Sequence, residues 1–290
     1  MMSNLYNFVN IIGYGYVGGA IGYLCKKNKV PYCTYDVLKK DEQESIGNFN
    51  DISSLIKNSE HNNEHNFYFI CVPTPPKDNT GECDTSIVEH VLDQLFCETK
   101  RKTSVIIKST VKPGTSRTLH NKYGKKLNIV FCPEFLKEKT FQEDMYNANF
   151  CLLGTECDSS TRKSVEDVMR RLYSHKTIDV IHKSYEECEL FKYTINVFLA
   201  VKVWYFNEIS EVCNRFGVDY NNLKDLFPLE PRIGESHIDV PGHDGFYGFG
   251  GKCLPKETLA LSSLQCDLGL PNKVLSEILE RNNHFRKGDN

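Results

Sequence analysis

No stretch of this 290-residue chain is long and apolar enough to span a bilayer. Residues 1–8 hold no apolar run of signal-peptide length. There is no excess of positive charge either. The formal net charge is −3, which leaves no basic footprint for nucleic acid. The chain shows no internal repeat and no low-complexity tract. Cysteine is plentiful at twelve, but the residues are scattered and form no Cys-x-x-Cys pair. A chain this long needs no staples, so the thiols are expected to be mostly free and reduced. These absences predict a soluble, cytoplasmic protein with no nucleic-acid or membrane partner. What remains is globular: 40% hydrophobic and 25% charged residues supply a sizeable core, and the length suits two domains.

The first half alternates short strands and helices. Residues 7–12 read as a strand, followed by Gly13-Tyr14-Gly15-Tyr16-Val17-Gly18 and a helical pattern through Ile21 and Leu24. A second strand, 32–35, ends on Asp36, eighteen residues after Gly18. A G-x-G-x-x-G between strand and helix, with an acid at this distance, is a dinucleotide fingerprint. The glycines turn the chain and admit a pyrophosphate, while the carboxylate takes a ribose hydroxyl. Asp36 favours NAD over NADP by repelling a 2′-phosphate; Lys39 and Lys40, close behind it, pull the other way.

Further strands are expected at 67–72, 104–108, 127–132, 150–153 and 177–180, with helices at 85–96 and 159–173. Strands alternating with helices imply a parallel sheet covered on both faces, with ligands beyond the carboxyl ends of the strands. The motifs after Ile12, Val72, Lys108 and Cys132 would share that edge. One segment imitates a metal site: His61-Asn62-Asn63-Glu64-His65 matches H-x-x-E-H. It lies in the polar run 58–66, with no apolar face, and reads as a solvated loop with no metal.

The composition then changes. Ser184-Tyr185-Glu186-Glu187 is a capping-box pattern, and residues 185–216 contain neither Gly nor Pro before Gly217. A helix of that length, roughly 45 Å, is too long for a sheet crossover and reads as a spine into a smaller helical domain. Lys192 and Asn196, four apart, share a face; they either meet a partner or ligand or lie on a solvated face. A short helix at 221–226 precedes a loop at 228–251, long enough to suggest function. The last two helices are expected at 255–265 and 272–284, with 286–290 as a frayed tail. Between loop and helix stands Gly248-Phe249-Gly250-Gly251-Lys252-Cys253-Leu254-Pro255-Lys256-Glu257. Glycines admit a ligand, and the proline opens a helix. The helix mouth and the two lysines favour thiolate over thiol at Cys253. The competing reading is a buried structural cysteine.

The motifs together resemble the nucleotide-sugar dehydrogenases, most closely those acting on UDP-glucose. They are Gly13 to Gly18, Val72-Pro73-Thr74-Pro75, Lys108-Ser109-Thr110-Val111, Pro133-Glu134-Phe135-Leu136-Lys137-Glu138, the Lys192/Asn196 helix, Arg232-Ile233-Gly234 and the cysteine segment. They follow the family's order and cover nearly the whole chain. The resemblance implies an α/β, Rossmann-type doubly wound parallel sheet over residues 1–183. Residues 184–290 would form a long connecting helix and a smaller all-helical domain, used for dimerisation and carrying the cysteine.

The implied reaction is a four-electron oxidation of a primary alcohol to a carboxylate with two NAD⁺. UDP-glucose would become UDP-glucuronate for polysaccharide, through a thiohemiacetal and a thioester on Cys253. Lys192 and Asn196 would stabilise the oxyanion, Glu138 would serve as base in hydrolysis, and Thr110 with Glu257 would order water. Gly13, Gly15, Tyr16, Val17, Gly18, Asp36, Lys40, Val72, Pro73, Thr74, Ser109 and Thr110 would hold NAD. Glu134, Phe135, Leu136, Phe249, Gly250 and Gly251 would line the sugar site with Lys192 and Asn196. Arg232 would reach the substrate of a second subunit, implying a homodimer.

Two departures stand out. The family's acid four residues after the cysteine is aspartate, and here it is Glu257. The family also carries a third domain that grips the nucleotide, and this chain stops where that domain would begin. The implied alternatives are therefore a separate chain supplying that domain, a weak or inactive NAD-binding relic serving as a scaffold, or a sibling acting on UDP-N-acetyl sugars or GDP-mannose.

Overall fold

A computed structural model describes residues 9–38, 47–62, 65–77 and 82–287. The chain divides into two compact units: Met1–Pro75 with Cys83–Lys192, and Pro76–Glu82 with Tyr193–Asn290.

The first unit is built on one eight-stranded sheet. Its strands are β1 (Val9–Ile12), β2 (Tyr32–Tyr35), β3 (Gly47–Phe49), β4 (His65–Ile70), β5 (Lys102–Ile107), β6 (Leu127–Phe131), β7 (Phe150–Gly154) and β8 (Asp179–Lys183). Their order across the sheet is β8-β7-β6-β5-β4-β1-β2-β3. The helices between them are α1 (Tyr16–Lys27), α2 (Ile52–Asn62), α3 (Ser86–Glu98), α4 (Thr115–Tyr123), α5 (Phe141–Tyr146) and α6 (Ser159–Leu172). The central strands are buried on both faces, so they read as apolar runs rather than as alternation. The period of two persists underneath. Phe67 and Phe69 pack with Ile21, Leu24 and Val168 on one face, whereas Tyr68 and Ile70 pack with Leu55, Leu92 and Leu95 on the other. Each such ring or branched chain, fully buried, stabilises the fold by about 1.5–3 kcal/mol.

The expected parallel sheet holds from β3 across to β6 and is interrupted beyond it. β7 meets β6 antiparallel through a single register pair, Phe131↔Gly154, while β7 and β8 pair parallel to each other. The last strand also lies later than expected, at Asp179–Lys183. The polar run around His61 is not wholly a loop. Residues 52–62 form α2, because Ile52, Leu55, Ile56 and Ser59 all point into the core and bury its inner face. His61 closes α2 and His65 opens β4, while Asn63 and Glu64 lie outside the described residues.

Helix α7 (Tyr185–Phe216) runs uninterrupted for 32 residues; its residues through Lys192 belong to the first unit and those from Tyr193 to the second. It opens on a reciprocal box: Ser184 N–H donates to Glu187 Oε2 at 2.8 Å, and Glu187 N–H donates to Ser184 Oγ at 3.1 Å. In the second unit follow α8 (Tyr220–Lys224), α9 (Leu254–Asp267) and α10 (Lys273–Lys287). Two small cores hold that unit together. One gathers Phe206, Cys213, Tyr220, Ile238 and Val240; the other gathers Ala200, Phe249 and Ile278. Arg286 and Lys287, expected in a frayed tail, instead close α10, and Arg286 Nη1 pairs with Asp244 Oδ2 at 2.7 Å. None of the twelve cysteines, all of them among the described residues, is joined in a disulfide.

Candidate functional site

In the first unit the site begins where five adjacent strands end in one register row. Tyr35, Ile12, Ile70, Ile107 and Phe131 are lateral partners from β2 through β6. Asp36, Gly13, Cys71, Lys108 and Cys132 therefore emerge side by side. The ladder continues one residue past the strands: Gly13 N–H donates to Tyr35 O, Cys71 N–H to Ile12 O, and Cys132 N–H to Ile107 O, at 2.7–2.9 Å.

The three glycines have three different reasons. Gly13 has φ +89°, and a Cβ there would lie 2.7 Å from the Cys71 carbonyl. A Cβ on Gly18 would lie 1.9 Å from Gly13 O. Gly15 caps α1 with no side-chain hydrogen bond, and its Cβ direction is empty to 4 Å. The first two glycines shape the turn and pack the helix. The third leaves a cradle beside a helix N-terminus, which suits a dinucleotide's pyrophosphate. Asp36 is fixed beside that loop: its Oδ2 accepts from Tyr14 N–H at 2.5 Å and its Oδ1 from Leu38 N–H at 2.7 Å. Tyr16 and Val17 occupy the first turn of α1, with Tyr16 exposed and edge-on to Phe141. Lys40 lies outside the described residues.

The neighbouring loops are tied to one another. Thr74 Oγ1 donates to Thr110 O at 2.7 Å, and Ser109 Oγ donates to Val72 O at 2.7 Å. Val72, Thr74 and Ser109 are buried, whereas Pro73 is exposed. Lys192 is 2% exposed; its Nζ donates to Glu134 O at 2.7 Å and pairs with Glu134 Oε1 at 3.1 Å. The same ammonium stands 5.6 Å from the Phe135 ring centroid. Glu134 Oε2 also accepts from Leu136 N–H, which folds the turn back on itself. Glu138 is exposed in the turn that follows.

Two residues here escaped the sequence reading. Lys108 is buried and donates to Pro133 O at 3.2 Å, holding the Glu134 turn. Glu189 is fully buried on α7, accepting from Gly114 N–H at 2.6 Å and Ser116 N–H at 2.8 Å at the head of α4. Burial pushes its carboxyl pKa up. The usable signal was spacing: Glu189 stands one turn before Lys192, so two consecutive turns of α7 anchor the loops after β5 and β6. Burial likewise pushes the Cys71 thiol up to about 12, which makes it a packing residue at this edge.

The second unit carries the cysteine segment. Cys253 is half-buried at the cap position of α9, and Pro255 is that helix's second residue. Glu257 in the first turn is fully buried, and Asn196 Nδ2 donates to its Oε2 at 2.8 Å. Asn196 thus meets a side-chain partner and is not on a solvated face. Gly251 has φ +77° with open space beside it, while a Cβ on Gly250 would lie 2.6 Å from the Arg286 guanidinium. Phe249 is buried at 2% exposure. Arg232 projects into solvent with 87% of its side chain exposed, forked onto Glu230 at 2.7 and 2.9 Å. Its loop is pinned by Lys202 Nζ donating to Ile233 O at 2.7 Å. Among the described residues no cluster of three or more His, Cys, Asp or Glu could hold a metal ion.

Comparison with known proteins decides the family. Residues 7–177 match the NAD binding domain of the UDP-glucose/GDP-mannose dehydrogenase family, and residues 186–284 match that family's central domain. The chain belongs to this family. NAD is accordingly the cofactor of the first unit, and the glycine cradle fits it.

A UDP-glucose 6-dehydrogenase of Rickettsia bellii is 31% identical over 220 residues, covering 74% of this chain and 48% of that protein. A GDP-mannose 6-dehydrogenase of Pseudomonas aeruginosa is 31% identical over 229 residues, covering 74% and 50%. The chain therefore spans about half the length of these curated relatives. The solved structure of a UDP-glucose dehydrogenase from Pyrobaculum islandicum aligns with a TM-score of 0.80 at 24% identity, over 98% of this chain and 69% of that one. That likeness is one of fold. No helix among the described residues is long and apolar enough to cross a membrane.

Proposed function

We propose that the chain oxidises the primary alcohol of a nucleotide sugar to a carboxylate, with UDP-glucose as substrate and Cys253 as the covalent nucleophile. The observation that carries this reading is the cysteine at the head of α9, one turn before a buried Glu257 that Asn196 holds by hydrogen bond. NAD⁺, when bound, supplies the hydride acceptor for each of the two oxidations. Gly13, Gly15 and Gly18 with the α1 N-terminus would cradle its pyrophosphate, and Asp36 would take the ribose hydroxyls.

The residues divide the remaining work. The first oxidation leaves an aldehyde, whose carbon the Cys253 sulfur attacks, giving a thiohemiacetal. Lys192 and Asn196 donate hydrogen bonds to the oxygen as negative charge develops on it. The second oxidation converts the thiohemiacetal to a thioester. Water then adds to the thioester carbon, with Glu138 taking a proton and Thr110 and Glu257 orienting the water. The sulfur leaves, and the acid is released. Glu257 stands where the family's aspartate would, and its Oε2 accepts from Asn196 Nδ2.

We infer a homodimer as well. Phe198, Tyr205 and Val212 recur every seven residues along α7 and are each at least half exposed, the spacing a helix presents to a second helix. A monomer in light scattering at micromolar concentration removes that part of the reading.

The deciding experiment follows NADH absorbance with NAD⁺ and a panel of UDP-glucose, GDP-mannose and UDP-N-acetyl sugars. Two NADH per UDP-glucose is the expected result. Turnover of another member of the panel reassigns the substrate, and NAD binding without any turnover selects a non-catalytic scaffold.

A further inference from the structure

We propose that Asn207 and Asn282 are positioning residues for Cys253, a proposal that rests on the reading of that cysteine as nucleophile. Both lie in the second unit, on different helices, and both grip the backbone that leads into the cysteine. Asn207, on α7, is 1% exposed; its Oδ1 accepts from Gly248 N–H at 2.9 Å and its Nδ2 donates to Val203 O at 2.8 Å. Asn282, on α10, is 4% exposed; its Oδ1 accepts from Phe249 N–H at 2.7 Å and its Nδ2 donates to Phe249 O at 3.0 Å.

The residue types suit the task. One planar amide offers a donor and an acceptor, so Asn282 can hold both backbone groups of Phe249 and stop the segment rotating about its length. Aspartate would lose the donor, and alanine would lose both while leaving buried backbone groups unpaired. The glycine before Phe249 completes the fit. Gly248 has φ +72°, and a Cβ there would lie 2.5 Å from Asn282 Oδ1 and 3.1 Å from Phe285 Cβ. The missing side chain is what lets α10 approach.

The far end of the segment is held in the same manner, by the Asn196 contact to Glu257. Asn196 and Asn207 are eleven residues apart on one helix, close to three full turns, so they share a face. That face grips the segment at 248 and again at 257, and Asn282 adds the second point at 249. Cys253 lies between the grips. Gly250 and Gly251 lie there too, and they would let an ungripped loop swing, because Gly251 meets nothing within 4 Å in its Cβ direction. The buried amides therefore give Cys253 a fixed attack position, and displacement of a reacting atom by about 1 Å can cost on the order of 10²-fold in rate.

The test is alkylation of the intact protein by iodoacetamide, read at each cysteine by peptide mass mapping, for wild type, N207A, N207D, N282A and N282D. In N207A and N282A the Cys253 rate is expected to change on the order of tenfold, with exposed Cys97 and Cys266 within about twofold as internal controls. N207D keeps the acceptor for Gly248 N–H and should restore a rate near wild type. N282D keeps the acceptor but loses the donor, and should behave like N282A; it decides the matter if N282A does not fold. Acid formation should fall in kcat by the same factor, with NAD affinity unchanged. Folded N207A and N282A with an unaltered Cys253 rate would overturn the proposal, as would N207D failing to restore it. If wild type makes no NADH while the Cys253 rate follows the asparagines, the dehydrogenase reading fails and the positioning stands.

Discussion

At the glycine turn of the first unit the proposed NAD cradle is made of backbone, and two of its three glycines exclude a side chain by requirement. Gly13 and Gly18 are glycine because a Cβ would collide with Cys71 and with Gly13 itself, while Gly15 is glycine beside open space. In the second unit the reverse holds. The segment around Cys253 is also rich in glycine, but its position is set by side chains reaching in from α7 and α10. A cradle of main-chain N–H groups recognises a phosphate through atoms every residue has, so its specificity lies in what is left out. A nucleophile, the role proposed for Cys253, must be aimed, and aiming takes amides with defined donor and acceptor directions.

That contrast can be tested, and the largest effect belongs to the cysteine. Cys253→Ser should lower acid formation by at least about 10³-fold while leaving NAD affinity within about twofold. A comparable loss of NAD binding would mean the two regions are not separable in this way.

Next comes the glycine loop. Gly18→Val should destabilise the fold by about 3 kcal/mol through overpacking, seen as a lower melting temperature with or without NAD. Gly15→Val should leave the melting temperature of the free protein nearly unchanged and weaken NAD at least about tenfold, or ~1.4 kcal/mol. Equal effects of the two substitutions in calorimetry would dissolve the distinction between packing glycine and cradle glycine.

The Lys192–Glu134 pair gives a third measure. Lys192→Met strands a buried carboxylate and should cost about 3 kcal/mol or more of stability. Adding Glu134→Gln should recover much of that loss, but none of the activity. Denaturant midpoints compared with NADH yield would separate the two roles.

The smallest effect lies at the opposite end of the sheet, far along β4 from the candidate site. Burial lowers the pKa of His65 from 6.5 to about 4, with Lys102 adding to the shift. The unfolded chain takes up this proton below pH 6.5, and the native chain does so only near pH 4. Stability from this group is therefore complete above pH 6.5 and is lost as the pH falls toward 4. His65→Asn should flatten the dependence of melting temperature on pH over that window.

Much of this was legible beforehand. The glycine fingerprint and Asp36 were readable because strand, turn and helix are adjacent in sequence, so their contacts are local. The limits of α7 were readable because a capping box and a glycine bracket a stretch free of helix breakers. The head of α9 was readable for a similar reason: a proline just inside the helix marks its start. Other features were hidden. The antiparallel contact of β7 on β6 is a pairing choice, and the strand's own residues carry no mark of it. The polar run at 58–62 looked like loop because, apart from Ser59, the buried face of its helix comes from Ile52, Leu55 and Ile56 one and two turns earlier. The partners of Lys108, Asn207 and Asn282 were hidden, since nothing nearby in sequence says which backbone groups they will meet, and Glu189 was marked only by its spacing to Lys192.

The amino-acid order alone determined the dinucleotide turn, the long helix and the cysteine at a helix mouth, because each depends on neighbours within a few residues or on one helical period. Only the tertiary structure decided that five strand ends stand in one row, that Lys192 closes on Glu134, and that amides from two helices hold the segment before Cys253. Those contacts join residues 23 to 58 positions apart, and the free energy that selects among such distant pairings comes from burial in a shared core, which no local pattern encodes.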